Sequence, residues 1–232
     1  VVSVERIAQE LRKMLVHRHR RRAIELCLST GLLDVVLPGW SAAEHAIDET
    51  LRQLDALEEP TVGLALAVLM RSMPNPDLAH RKAVIPADTV RGHCRRLKLS
   101  NEEIDSCLWL HGHQDDLSRV PDMSDAELKR LLAHPLSGEL QKWFEAQAAI
   151  DQRKQRDLAA LSSRAAQWTP DDIDPPPLVT GQDILAMGLK PGPLLKELLD
   201  AVRTAQLNGA VQSTDDGMAM LKQLIERPSP QS

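Results

Sequence analysis

Three times in this 232-residue chain a serine stands three positions ahead of a glutamate where an apolar helical period begins: Ser41 with Glu44, Ser100 with Glu103, and Ser124 with Glu127. In such a capping box the serine hydroxyl accepts the N–H of the third helical residue, and the glutamate reaches back to the serine N–H. Repeated this often, and separated by proline and glycine breaks, the pattern restricts the chain to a succession of helices joined by short turns. The apolar share of 43% supports a buried core, and it is made of Leu and Ala rather than the β-branched and aromatic residues that strands prefer. No stretch reads as a strand and no internal repeat is present, so the expected fold class is all-α.

In chain order, Ser3 caps a first helix over 4–15, with Glu5 in its first turn and Val4, Ile7, Leu11 and Met14 as its apolar stripe. His17-Arg18-His19-Arg20-Arg21-Arg22 follows as the densest basic run. It reads either as a solvated loop with a first helical turn, or as a phosphate contact, for which the arginine fork is suited. With no Tyr and few other aromatics, base stacking is a poor candidate mode for this chain. A second helix over 23–30 ends at Gly31, and Ile47, Leu51 and Leu54 mark the stripe of the helix that Ser41 opens. Pro60 opens an apolar helix through Met70, which Met73-Pro74-Asn75-Pro76-Asp77 breaks. Pro86 and Asp88 start another, and Ser137 is expected to cap one long helix reaching Gln167. Trp168 to Pro177, with three successive prolines, reads as a stiff extended linker, and the last six residues as disordered. Organisation is thus expected as 1–38, a body 39–167, a linker 168–177 and a tail 178–232.

The net charge of −5 excludes a uniformly basic nucleic-acid binder but permits a local basic face. Cys27, Cys94 and Cys107 are widely spaced at apolar helical positions, as packing thiols of a cytoplasmic protein would be, and no pair has zinc spacing. No apolar run approaches the ~20 residues that span a bilayer. The chain opens on Val1-Val2-Ser3 without methionine, as expected of a fragment or a processed product. His111-Gly112-His113-Gln114-Asp115-Asp116 is the one metal-like constellation, but histidine and glycine also belong at a helix C-terminus, and helix termination is the expected reading. No Walker-type loop, G-x-S-x-G or Cys/His pairing suggests an enzyme.

The most patterned stretch is 181–209. Thr180 with Asp183 forms a capping-box-like start, Gly188 ends a short helix, Pro191-Gly192-Pro193 breaks the chain, and Leu194, Leu195, Leu198, Leu199 and Val202 mark a second helix ending at Asn208-Gly209. On pattern alone this is a helical hairpin, whose helix starts also offer N–H groups to a phosphate.

Gly181, Asp183, Ile184, Gly188, Pro191, Gly192 and Pro193, followed by Gln206, Leu207 and Gly209, resemble the tail of bacterial tRNA nucleotidyltransferases, the CCA-adding enzymes and their poly(A) polymerase relatives. That family usually has a glycine where Lys196 stands. Ser3, Glu5, Arg6, Ile7, Glu10, Leu11, Lys13 and Leu15 resemble its neck, and 97–103 its body. The resemblance implies a neck, body and tail that hold RNA, with tRNA as the partner, while a catalytic head of the same polypeptide adds nucleotides to the 3′ end, CCA foremost and poly(A) next. It implies support of the nucleotide site by Glu5, Arg6 and Glu10. It implies RNA contacts by Arg18, Arg20, Arg21, Arg22, Gly181, Asp183, Gly188, Pro191, Gly192 and Lys196. The family's head carries metal-binding carboxylates beside a Gly-Gly motif followed by Arg-Asp. No Gly-Gly pair occurs here, so catalytic residues, Mg2+ and CTP or ATP are expected with the head and none in this chain. The competing reading is a helical module that binds protein and no membrane.

Overall fold

The computed structural model describes residues 2–40, 47–73 and 85–226. The Ser41–Glu44 capping box, most of the 73–77 break and the last six residues lie outside them. The described residues form fourteen α-helices, one 3-10 turn and no strand, so the fold is all-α. The chain divides into two compact units: 1–119 with 135–161, and 120–134 with 162–232.

In the first unit, α1 (Val4–Val16), α2 (Arg20–Ser29), α3 (Leu32–Val36) and α4 (Ile47–Ala56) are followed by α5 (Val62–Met70). Every residue of α5 from Gly63 to Met70 is buried. A helix apolar all round can only sit at the centre of a core, and α5 packs against α1, α4, α7 (Asn101–Gly112) and α9 (Ser137–Ile150). Gly63 permits the closest approach: a Cβ there would lie 2.6 Å from Ser106 Oγ and 3.4 Å from the Cys107 backbone nitrogen. The next helix after α5, α6 (Ala87–Arg96), packs on α7. All three cysteines are free and buried. The inward stripe of α1 is Ala8, Leu11 and Leu15, and of the expected stripe only Leu11 is buried: Val4 is exposed, and Ile7 and Met14 are half-buried at its edge.

The long helix expected from Ser137 to Gln167 is two. Asp151 adopts an extended backbone (φ −139°, ψ 117°) between α9 and α10 (Gln152–Ala165). Its Oδ1 accepts the Arg153 N–H at 2.8 Å, the local bond by which aspartate starts a new helix instead of continuing one. Ser137 is the first helical residue rather than the cap.

The second unit contains the last residues of the 3-10 turn (Asp116–Asp122), α8 (Asp125–Ala133), the end of α10, α11 (Pro170–Ile173), α12 (Gly181–Ala186), α13 (Pro193–Leu207) and α14 (Thr214–Glu226). Val179, Ile184, Leu198, Val202 and Leu221 are its core. The stretch 168–177 is not a bare spacer. Thr169 and Asp172 cap α11, and α13 holds the prolines that follow: Arg203 donates to the Pro175 carbonyl at 2.6 Å and Gln206 Nε2 to the Pro176 carbonyl at 2.8 Å. Arg203 also pairs with Asp174 at 2.7 Å.

Candidate nucleic-acid interface

The basic run lies where α1 hands over to α2. Ser3 caps α1 as expected, accepting the Arg6 N–H. The chain leaves that helix at His17 in an extended conformation and re-enters helix at Arg20. Four arginines in five residues then meet four different fates. Arg18 is exposed. Arg22 is exposed and 3.4 Å from Glu25. Arg21 is part-buried, 2.9 Å from Glu25 and 3.6 Å from Asp55. Arg20 turns inward and is 4% exposed.

Arg20 therefore leaves the set of expected RNA contacts. Its Nε donates to the Leu15 carbonyl at 3.0 Å, and its Nη1 donates to the Leu54 and Leu57 carbonyls at 3.0 and 2.8 Å. A cation at the last carbonyls of α1 and α4 satisfies groups that a helix end leaves orphaned. Burial pushes the Arg20 pKa down, and Asp55 opposes the shift.

The expected supports of the nucleotide site are on the surface of α1. Glu5 pairs with Lys98 at 2.5 Å and Glu10 with Lys13 at 2.8 Å, and each carboxyl is held below its ordinary pKa by its lysine. Arg6 is exposed. The residue that fixes α1 was not among those expected: Arg12 grips Glu103, at the start of α7, with two bonds of 2.7 and 2.8 Å.

The tail residues form a separate group in the second unit. Gly181 is the first residue of α12, and Asp183 accepts from both the Thr180 N–H and hydroxyl at 2.7 Å. Those bonds hold the Asp183 carboxyl below its ordinary pKa. Gly188 ends the helix with φ 89°, in the left-handed region that favours glycine. Pro191, Gly192 and Lys196 are exposed. Gln206, quoted above without a role, binds the proline segment together with Arg203.

His111 and His113 end α7, as the termination reading expects. His111 is buried, and burial together with Arg71 pulls its pKa to about 4, so the imidazole is neutral. His113 Nδ1 is 2.6 Å from Asp116, with its ring against Trp109. No group of three or more His, Cys, Asp or Glu side chains among the described residues could hold a metal ion. No described helix is long and apolar enough to cross a membrane.

A family model described as a probable RNA- and SrmB-binding site of polymerase A matches residues 1–44, which include the arginine run. The A-adding tRNA nucleotidyltransferase of Deinococcus radiodurans is 26% identical over 96% of this chain and 58% of its own length. The A-adding enzyme of Halalkalibacterium halodurans is 33% identical over a shorter stretch, 23% of this chain and 13% of its own. The chain is similar to tRNA nucleotidyltransferases. A crystal structure of the Bacillus stearothermophilus CCA-adding enzyme in complex with CTP has the same fold, with a TM-score of 0.65 over 97% of this chain and 53% of that one, at 23% identity. The chain thus spans just over half the length of the Deinococcus tRNA nucleotidyltransferase and of the Bacillus structure.

Proposed function

We propose that this chain is the RNA-holding region of a tRNA nucleotidyltransferase, a protein that adds nucleotides to the 3′ end of tRNA. The observation that carries the reading is the coincidence of the 1–44 match with the exposed turn that presents Arg18, Arg21 and Arg22. Such arginines would meet backbone phosphates, which fix an RNA in place without reading its sequence. The tail residues Gly181 to Lys196 would form a second contact. Catalytic carboxylates, Mg2+ and CTP or ATP would belong to a head domain of the same polypeptide, because these 232 residues contain no Gly-Gly pair and hence no Arg-Asp that follows one. CCA addition is the reaction proposed, and addition of A alone is the variant that the curated relatives' names support.

The experiment is a pair of assays on the 232-residue chain. It should bind tRNA with an affinity that falls steeply as salt rises, and it should not incorporate labelled CTP or ATP. Absence of tRNA binding at low salt would overturn the reading, and incorporation would show that the chemistry has been misplaced. The second reading, a helical protein-interaction module, is favoured by the exposed side chains of Val2, Val16, Leu26, Leu32 and Val35 in the first unit. A stable protein partner without RNA binding would establish it.

A further inference from the structure

A groove of about 370 Å³ opens where α1 meets α2. Its floor is apolar, made by Met14, Ala23 and the half-exposed Leu26, and its rim is cationic, with Lys13 and Arg22. His17 and His19 complete the lining, and no carboxylate takes part in it. Their rings pack on each other with centroids 5.3 Å apart. The His17 ring is oriented by the His19 backbone N–H, which donates to its Nδ1 at 3.1 Å.

We propose that this groove seats an unpaired RNA nucleotide, its base stacked on the His17–His19 pair over the apolar floor and its phosphate held by Lys13 and Arg22. The inference rests on the RNA-binding reading above and names the form of RNA that the site takes. An apolar floor inside a cationic rim matches a base face beside an anionic phosphate. A duplex hides its base faces within the stack, whereas unpaired nucleotides offer them to aromatic side chains, histidine included. Among the described residues, Trp40, Trp143 and Phe144 are buried, Trp109 packs against His113, and Trp168 lies under Lys129. The imidazole pair therefore supplies a stacking surface in a chain that has no tyrosine. Lys13 and Arg22 reach Glu10 and Glu25 only through exposed ion pairs, which contribute little and yield readily to a phosphate.

The test is fluorescence anisotropy of the 232-residue chain with a labelled short single-stranded RNA, and with the same strand in a duplex. The wild-type chain should prefer the single strand. The double variant H17A/H19A should lose about ten-fold in single-strand affinity, with duplex affinity unchanged, and H17F/H19F should restore it. Single-strand binding that ignores H17A/H19A, or a duplex that binds as well as the free strand, would overturn the stacked seat and leave the RNA-binding reading standing. A wild-type chain that binds neither RNA, but takes an acidic amphipathic peptide at this groove, would overturn both.

Discussion

Arg12 and Glu103 stand 91 residues apart in sequence and meet in a bidentate pair, Nε to Oε1 at 2.7 Å and Nη2 to Oε2 at 2.8 Å. The same glutamate Oε2 accepts the Ser100 N–H at 2.8 Å, closing the capping box of α7. One carboxylate thus starts a helix and ties it to α1, whose C-terminal end leads into the proposed RNA-binding turn. With both side chains about three-quarters covered, the pair is worth more than an ordinary surface salt bridge.

This pair gives a pH prediction. The Arg12 bond, opposed by burial and helped by Ser100, holds the Glu103 pKa at about 2, against an ordinary 4.5. A carboxyl whose folded pKa is depressed stabilises the fold above the ordinary value, and the contribution is lost as pH falls from about 4.5 towards 2. Arg12→Ala should cost about 2 kcal/mol at neutral pH by urea denaturation, and its deficit should close as pH falls towards 2. His111 contributes in a different window, between its ordinary 6.5 and about 4, because it is buried neutral and must charge on unfolding. The difference between wild type and Arg12→Ala below pH 4.5 isolates Glu103. A deficit that stays constant down to pH 2 would disprove the assignment.

Arg20 and Arg22 should separate stability from binding. Arg20→Ala leaves three carbonyls without their charged donor and should cost about 3 kcal/mol. Arg22→Ala, at an exposed site, should change stability by less than about 0.5 kcal/mol. A thermal melt of each variant decides the matter, and equal melting temperatures would contradict the inward placement of Arg20.

The same residues bear on RNA. Arg18→Ala with Arg22→Ala should weaken tRNA binding and lower the slope of log affinity against log salt by roughly 1.5, two phosphate contacts at about 0.7–0.9 each. An unchanged slope would remove this turn from the interface.

Gly63→Ala probes the closest approach in the first unit. The added methyl would meet Ser106 Oγ at 2.6 Å and Ser106 Cβ at 3.0 Å, so the Ser106 hydroxyl must turn away and α7 must give slightly. A loss of about 1–3 kcal/mol is expected, measured by denaturant unfolding. Gly63→Ala combined with Ser106→Gly should recover much of it, and failure to recover would point to helix propensity or another contact.

Gln206→Ala tests the claim that α13 holds the proline segment. Gln206 donates to the Pro176 carbonyl and accepts the Leu178 N–H at 3.3 Å. Removing it should speed hydrogen exchange at Leu178, with the α5 amides unaffected. Unchanged protection at Leu178 would show that Arg203 alone suffices.

What the sequence determined by itself was the local grammar. The capping boxes at Ser100 and Ser124, the Thr180–Asp183 start and the left-handed end at Gly188 are all found in the fold. Each is an interaction within about four residues, so the chain contains everything needed to read it. The break at Asp151 and the Thr169 cap are equally local, but the apolar period that runs through the first and the prolines that follow the second mask them in the sequence. Tertiary structure alone decided the rest. Nothing in His17-Arg18-His19-Arg20-Arg21-Arg22 says which arginine turns inward, because the carbonyls that take Arg20 belong partly to Leu54 and Leu57, more than thirty residues away. The face of α1 that is buried depends on α5, and the meeting of Met14, His17, His19 and Leu26 in one groove depends on the angle at which α2 leaves α1. Sequence spacing fixes which side chains share a helix face. Packing between helices selects which face is buried and which cations remain free to meet a ligand.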